Sequence, residues 1–190
     1  MYFRAFVIAI FVTCFVAPLS WAEDPSELAT AVTTKREMVV TANPLATEAG
    51  EKILKIGGTA ADAMVAVQTV LGLVEPQSSG LGGGAFIVYY DAETGTTTTI
   101  DAREKAPAAA TEDRFLDQDG NSIGFFKAWQ IGLSVGLPGT PRIMEYMHDR
   151  FVSLTWKRLF VTAKTLSQGG FELTELTSSH VAGLLARNPS

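Results

Sequence analysis

Cysteine is almost missing from this sequence. Cys14 is the only one in 190 residues, and it lies in the first apolar run, so a chain cut behind that run has none. Disulfides, thiol catalysis and cysteine-ligated metals are thereby excluded for a mature form. Histidine is scarce too: His148 and His180 are the only two, and no histidine or carboxylate pair shows zinc spacing. Neither a metal nor a cofactor is expected. Basic residues are outnumbered, 15 against 20 acidic, for a net charge of −5, and the two signs are interspersed. No basic stripe is available for a nucleic-acid backbone, so nucleic acid is not expected as a partner. Repeats and low-complexity tracts are also absent. What remains is an ordinary globular mixture, 47% hydrophobic and 18% charged, long enough for one domain with its own core.

No apolar run reaches the roughly 20 residues of a membrane-spanning helix. The N-terminus, MYFRAFVIAIFVTCFVAPLSWAEDPS, instead has the parts of a secretory signal. Arg4 is its only charge before Glu23, residues 5–16 are apolar, and Ser20-Trp21-Ala22 puts small residues where a signal peptidase reads them. Val12-Thr13 before Cys14 does not make a lipobox. Residues 1–22 are therefore expected to be a signal peptide, 23–37 a flexible polar lead-in, and 38–190 the folded part. The protein is expected to be exported, to the periplasm or the extracellular space.

Within the folded part, MVVTA (38–42) reads as a short strand. Asn43-Pro44 supplies a capping residue and a first-turn proline for the helix LATEAGEKILKI, which Gly57-Gly58 stops. Thr59 or Asp62 opens a second helix, AADAMVAVQTVLGLV, apolar nearly all round and so destined for an interior. Pro76 ends it. AFIVYYD, the turn ETGT and TTTTID form a hairpin. Thr140-Pro141 opens a helix over PRIMEYMHDRF, Thr155 another through Lys164 or so, ended by Gly169-Gly170, and a last helical pattern starts near Leu173.

Two motifs in this order invite misreading. GLGGGA matches the dinucleotide fingerprint G-x-G-x-x-[GA], with Asp101 at a ribose-binding distance. A dinucleotide turn, however, follows a strand and opens a helix, whereas these glycines follow a helix and open a strand. Gly80, Gly82, Gly83 and Gly84 are better read as structural, letting a buried helix end press against strand backbone. The second is Gly132-Leu133-Ser134-Val135-Gly136, a G-x-S-x-G string with Asp149 and His180 downstream in α/β-hydrolase order. A nucleophile elbow needs a helix directly after its serine, and Leu137-Pro138-Gly139 forbids one until Thr140. Both histidines read as surface helix residues.

The chemistry left over is IDAREKAP. Arg103, just past a strand and near the glycine-rich turn, can present its fork to a planar carboxylate. It can equally be a surface ion pair with Asp101 or Glu104. The residues alone leave both open.

Taken together, MVVTANPLATEAGEKILKIGGTAADAMVAVQTVLGLVEPQSSGLGGGAFIVYYD, IDAREKAP and SVGLPGTPRIMEYMH resemble the start of a γ-glutamyltranspeptidase, also called glutathione hydrolase. The resemblance runs from about residue 38 onward. It implies an α+β fold of the N-terminal-nucleophile hydrolase type, an αββα sandwich, of which these residues would be an incomplete N-terminal portion. It implies an exported precursor that cuts itself into a large and a small subunit. The small subunit's new N-terminal threonine attacks the γ-glutamyl amide of glutathione and related compounds, with its own α-amine as base. The arginine of the family's D-x-R-E-x-A-P segment grips the substrate's α-carboxylate, and that role falls on Arg103.

The family's threonine-threonine-histidine segment and its later serine-serine-glycine-glycine stretch have no match here. Thr96 to Thr99 precede the arginine, inside a hairpin strand, and do not fit the nucleophile. The 190 residues are thus expected to be the first part of a large subunit, catalytically silent without the small subunit. Two alternatives stay open: a related amidohydrolase of cephalosporin-acylase or poly-γ-glutamate-cleaving type, and a non-catalytic interaction protein.

Overall fold

The computed structural model describes residues 31–151 and 153–187. The expected signal peptide and most of the lead-in lie outside the described residues. The chain divides into two units, Met1–Lys35 and Arg36–Ser190, and the second is the subject below.

Helix α1, Pro44–Lys55, begins where the sequence predicts: Asn43 has extended backbone, and its Oδ1 accepts the Leu45 N–H at 3.0 Å. Lys52–Glu48 and Lys55–Glu51 pairs, one turn apart, lie along its wet side. The helix stops at Gly57, whose φ of +86° is open to glycine at little cost. Helix α2, Ala60–Val74, starts from a reciprocal capping box between Thr59 and Asp62. Only Ala60 of its fifteen residues is exposed, as its all-round apolarity requires.

Strands β1 (Ala85–Asp91) and β2 (Thr96–Ala102) pair antiparallel, with Ala85 opposite Ala102 and Asp91 opposite Thr96. Alternation puts Ile87 and Tyr89 on the inner face, while Phe86, Val88 and Tyr90 are exposed. Helix α4, Thr140–Phe151, lies between this hairpin and α2. Ile143 and Met147 pack with the hairpin's inner face, and Met144 packs with Ile53, Val65 and Leu159. Tyr89 stacks on Phe151 with ring centroids 4.3 Å apart. On its other flanks α2 meets α1 and the helices α5 (Trp156–Leu159) and α6 (Val161–Gly169). The last helix, α7, is Glu175–Arg187.

Four local expectations change. Residues 38–42 form no strand: a strand exists through its ladder, and the two described strands pair with each other. Val39 instead packs at α1, where a Cβ on Gly50 would come within 2.9 Å of it. The helix expected from Thr155 through Lys164 is broken at Phe160, which turns inward with Leu159 to join the core. A short helix, α3 (Phe125–Gln130), and a 3-10 turn at Gly132–Ser134 fill a stretch without helical periodicity. The fourth concerns His148, which is not a free surface residue: its ring meets Trp156 edge-on at 4.9 Å, and its side chain is 21% exposed.

Candidate active-site cleft

The glycine-rich segment leaves the C-terminal end of α2, lines a cleft of about 750 Å³, and enters β1. A phosphate-binding turn needs a helix N-terminus after the glycines, and here a strand follows them. Asp101, the candidate ribose acid, uses its Oδ1 to accept the N–H of Arg103 at 2.9 Å. That bond sets the chain's turn at the end of β2. The dinucleotide match is one of spacing only.

The glycines do not all serve the role expected of them. A Cβ on Gly80 or Gly82 would meet nothing within 4 Å, and one on Gly83 would make ordinary contacts, the nearest at 3.4 Å to the Gly80 carbonyl oxygen. None of the four has a positive φ. The steric requirement falls on Gly84, where a Cβ would lie 2.5 Å from the Ala102 carbonyl oxygen and 2.8 Å from Arg103 Cα. The backbone pressed on is the end of β2, and what presses on it is the segment entering β1 rather than the end of α2.

A second brace comes from a segment that periodicity leaves blank. Leu137 and Lys105 exchange backbone hydrogen bonds, at 2.8 and 3.4 Å. The N–H groups of Gly139 and Thr140 both donate to the Gly83 carbonyl, at 2.9 and 3.0 Å. A Cβ on Gly139 would lie 2.6 Å from the Ala102 carbonyl carbon and closer still to its oxygen. Gly139, not Thr140, also accepts the first helical bond of α4, from Ile143. The stretches GLGGGA, IDAREK and LPGTP, spread over some sixty positions, therefore meet at one backbone junction, with Arg103 at its edge.

The Arg103 side chain is 68% exposed, and its Nε lies 3.2 Å from Glu104 Oε2. Arg103 thus has an acidic neighbour and also lines the cleft. An exposed pair of this kind contributes little to stability. Sequence reasoning passed over other cleft residues, Gln68, Thr140 and Trp129 among them. Gln68, the one amide in an apolar helix, donates from Nε2 to Ser79 Oγ at 2.8 Å. Thr140 is buried at the cleft, and Trp129 comes from the unforeseen α3. The isolated polar position in α2 was the available signal for Gln68.

The G-x-S-x-G string does not form an elbow. Ser134 sits in the 3-10 turn and donates its hydroxyl to the Ile131 carbonyl at 3.0 Å. Neither histidine bonds to it: His180 Nδ1 lies 2.8 Å from the Leu176 carbonyl inside α7. Among the described residues no three histidines, cysteines or carboxylates gather as a metal site would require.

The family model described as Gamma-glutamyltranspeptidase matches residues 46–188. A glutathione hydrolase proenzyme of Bacillus subtilis is 43% identical over 148 residues, covering 78% of this chain and 25% of that protein. The chain thus spans about a quarter of the length of the curated relatives it matches. Among solved structures, the Helicobacter pylori γ-glutamyltranspeptidase superposes with a TM-score of 0.76 at 34% identity, over 83% of this chain and 44% of that one. The Bacillus anthracis transpeptidase CapD superposes with a TM-score of 0.63 at 30% identity, over 83% and 47%. The fold is accordingly α+β, of the N-terminal-nucleophile hydrolase type, and these residues cover its N-terminal part. Similarity of this extent in both sequence and structure settles the family, and this chain belongs to the γ-glutamyltranspeptidases.

Proposed function

We propose that this chain is the N-terminal portion of the large subunit of an enzyme that cleaves the γ-glutamyl amide of glutathione and related compounds. The γ-glutamyl group passes first to a threonine hydroxyl of the small subunit, whose α-amine takes the proton, and the amine of the leaving group departs protonated. Water or the amino group of an amino acid or peptide then releases the acyl group. The contribution of the residues described here is recognition. Arg103 holds the substrate's α-carboxylate, which places the γ-carbonyl for attack.

The observation that carries this reading is the position of Arg103. Its Nε lies beside Glu104, and the residue lines the glycine-rich cleft. The fork's terminal nitrogens suit two parallel bonds to a carboxylate, a geometry that the lysine ammonium lacks. In the family-length protein, Arg103→Lys is expected to lower kcat/KM on glutathione by about a hundredfold, the equivalent of one or two charge-assisted hydrogen bonds at about 1.5–3 kcal/mol each. Unchanged kcat/KM in that variant would reduce Arg103 to a surface ion pair.

Export is part of the same proposal. The charged start, the apolar run and Ser20-Trp21-Ala22 support removal of residues 1–22. No described helix is long and apolar enough to cross a membrane. N-terminal sequencing of protein recovered outside the cytoplasm is expected to read from Glu23, and recovery of chains beginning at Met1 would refute the cleavage.

A further inference from the structure

Behind the cleft lies a buried carboxylate with no cation among its described partners. Glu75, the residue that follows α2, is 2% exposed. Its Oε1 accepts from Asn43 Nδ2 at 2.9 Å, and its Oε2 accepts from Gln77 Nε2 at 2.5 Å. Its backbone carbonyl accepts the N–H groups of Ser78 and Ser79, at 3.0 and 2.9 Å. Asn43, also 2% exposed, has its Oδ1 committed to the Leu45 N–H, so the Nδ2 is fixed toward Glu75. Gln77 Nε2 lies 3.4 Å from Thr177 Oγ1, whose hydroxyl donates to the Val74 carbonyl.

Stability alone gives this arrangement no clear advantage. Removing a carboxylate from water costs several kcal/mol, and two neutral amide donors offset that less fully than an arginine or lysine would. What the arrangement does provide is a rigid connection. One side chain joins the start of α1 to the end of α2 and to Gln77, while its own carbonyl folds Ser78 and Ser79 back over it. Gln77, Ser78 and Ser79 then line the same cleft as Arg103, and Gln68 holds Ser79 from the α2 side.

We propose that Glu75 is a positioning residue for substrate binding. It holds the 77–79 wall of the Arg103 cleft in its binding geometry, so that the γ-glutamyl group meets a surface already in place. This inference rests on the function proposed above for the cleft. Glu75 does not touch substrate and acts through Gln77 and the serine backbone. A glutamine at position 75 has one acceptor oxygen where the carboxylate has two, so it either releases one partner or forces Gln77 to turn its amide over, which gives up the Nε2 approach to Thr177. Exchanging the two partners, with Glu75→Gln and Gln77→Glu together, restores a donor facing an acceptor at both contacts.

The test compares wild type, Glu75→Gln and the exchanged double variant in the family-length protein. Kinetics with a γ-glutamyl anilide are measured beside hydrogen–deuterium exchange of residues 78–84. Glu75→Gln is expected to raise KM about tenfold, the scale of one hydrogen bond to a charged group. It should leave kcat within about twofold, since the group held is a binding surface and not a reacting one. Exchange in residues 78–84 should quicken, and the double variant should reverse that quickening. The double variant's KM is no readout, because Gln77→Glu adds a negative charge to the cleft wall. Unchanged KM together with unchanged exchange would overturn the proposal. So would failure of both variants to give soluble protein, since Glu75 would then be required for the fold itself. If wild type does not cleave γ-glutamyl compounds, the proposed function falls. The exchange measurement then decides this inference alone, and unaltered protection of residues 78–84 in Glu75→Gln would sink it.

Discussion

Gly139→Ala is expected to leave no correctly folded protein, although it adds a single methyl group. The Cβ would come 2.6 Å from the Ala102 carbonyl carbon, closer still to its oxygen, and 3.3 Å from Ala102 Cα. None of these is the tip of a flexible side chain. Ala102 is the last residue of β2 and is paired with Ala85 across the hairpin. On the other side, Gly139 and Thr140 are tied to the Gly83 carbonyl, and Gly139 begins α4. Relief would mean moving either the hairpin end or α4, whose Ile143 and Met147 fill the space beneath the strands. Packed interiors resist such shifts. The cost should exceed the roughly 4–5 kcal/mol that only the most damaging single substitutions reach. Gly80→Ala and Gly82→Ala are the controls, since both positions face open space and neither has a positive φ. Soluble yield and a cooperative thermal transition are the readouts. A Gly139→Ala protein that melts like wild type would show that the strand end yields where rigidity is claimed for it.

Asp62→Ala should be nearly as damaging, for a different reason. Asp62 is fully buried. Its Oδ2 accepts from the Thr59 N–H at 2.9 Å, and from the Ser153 N–H and hydroxyl at 3.0 Å each. The Leu154 N–H approaches Oδ1 at 3.4 Å. The carboxylate therefore caps α2, where the helix dipole favours negative charge, and ties it to the segment between α4 and α5. Alanine removes the acceptor and leaves the N–H groups of half-buried Thr59 and Leu154 and of Ser153 without it, at about 1–3 kcal/mol for each that stays shielded from water. A total loss of about 3–5 kcal/mol is expected, a large share of the 5–15 typical of a domain. Asp62→Asn, with its one oxygen turned to the Oδ2 position, keeps an acceptor for the Thr59 and Ser153 N–H groups and should lose about half as much. Urea unfolding of the three proteins measures both. A loss under about 1 kcal/mol for Asp62→Ala would mean that water replaces the carboxylate, contrary to its complete burial.

Much of the local structure was legible because its causes are local. Asn43-Pro44, Thr59 with Asp62, and Gly57 mark helix ends through bonds made within a few residues. The β-rich runs AFIVYYD and TTTTID on either side of the turn ETGT marked the hairpin. Where a call depended on distant partners, it slipped. Residues 38–42 have strand composition but no ladder to join, and Phe160 breaks a helical pattern because the core needs its ring. Asp62 entered the sequence reading only as one of two residues able to open α2; its bonds to residues 153 and 154 reach about ninety positions along the chain.

The sequence by itself determined the family resemblance and the order of the main helices and the hairpin, and it singled out Arg103 as the candidate for carboxylate binding. It also sufficed to reject both decoy motifs, since each demands a neighbouring element that the chain order does not supply. Only the tertiary structure decided which glycines are sterically required. Gly84 and Gly139 are constrained by the Ala102 carbonyl, a backbone atom that no side-chain pattern reports. It likewise placed Glu75, Gln77 and Gln68 behind one cleft. Hydrogen bonds between polar groups 11 and 32 positions apart in the sequence follow from how helices pack, and packing belongs to the whole fold rather than to any stretch of sequence.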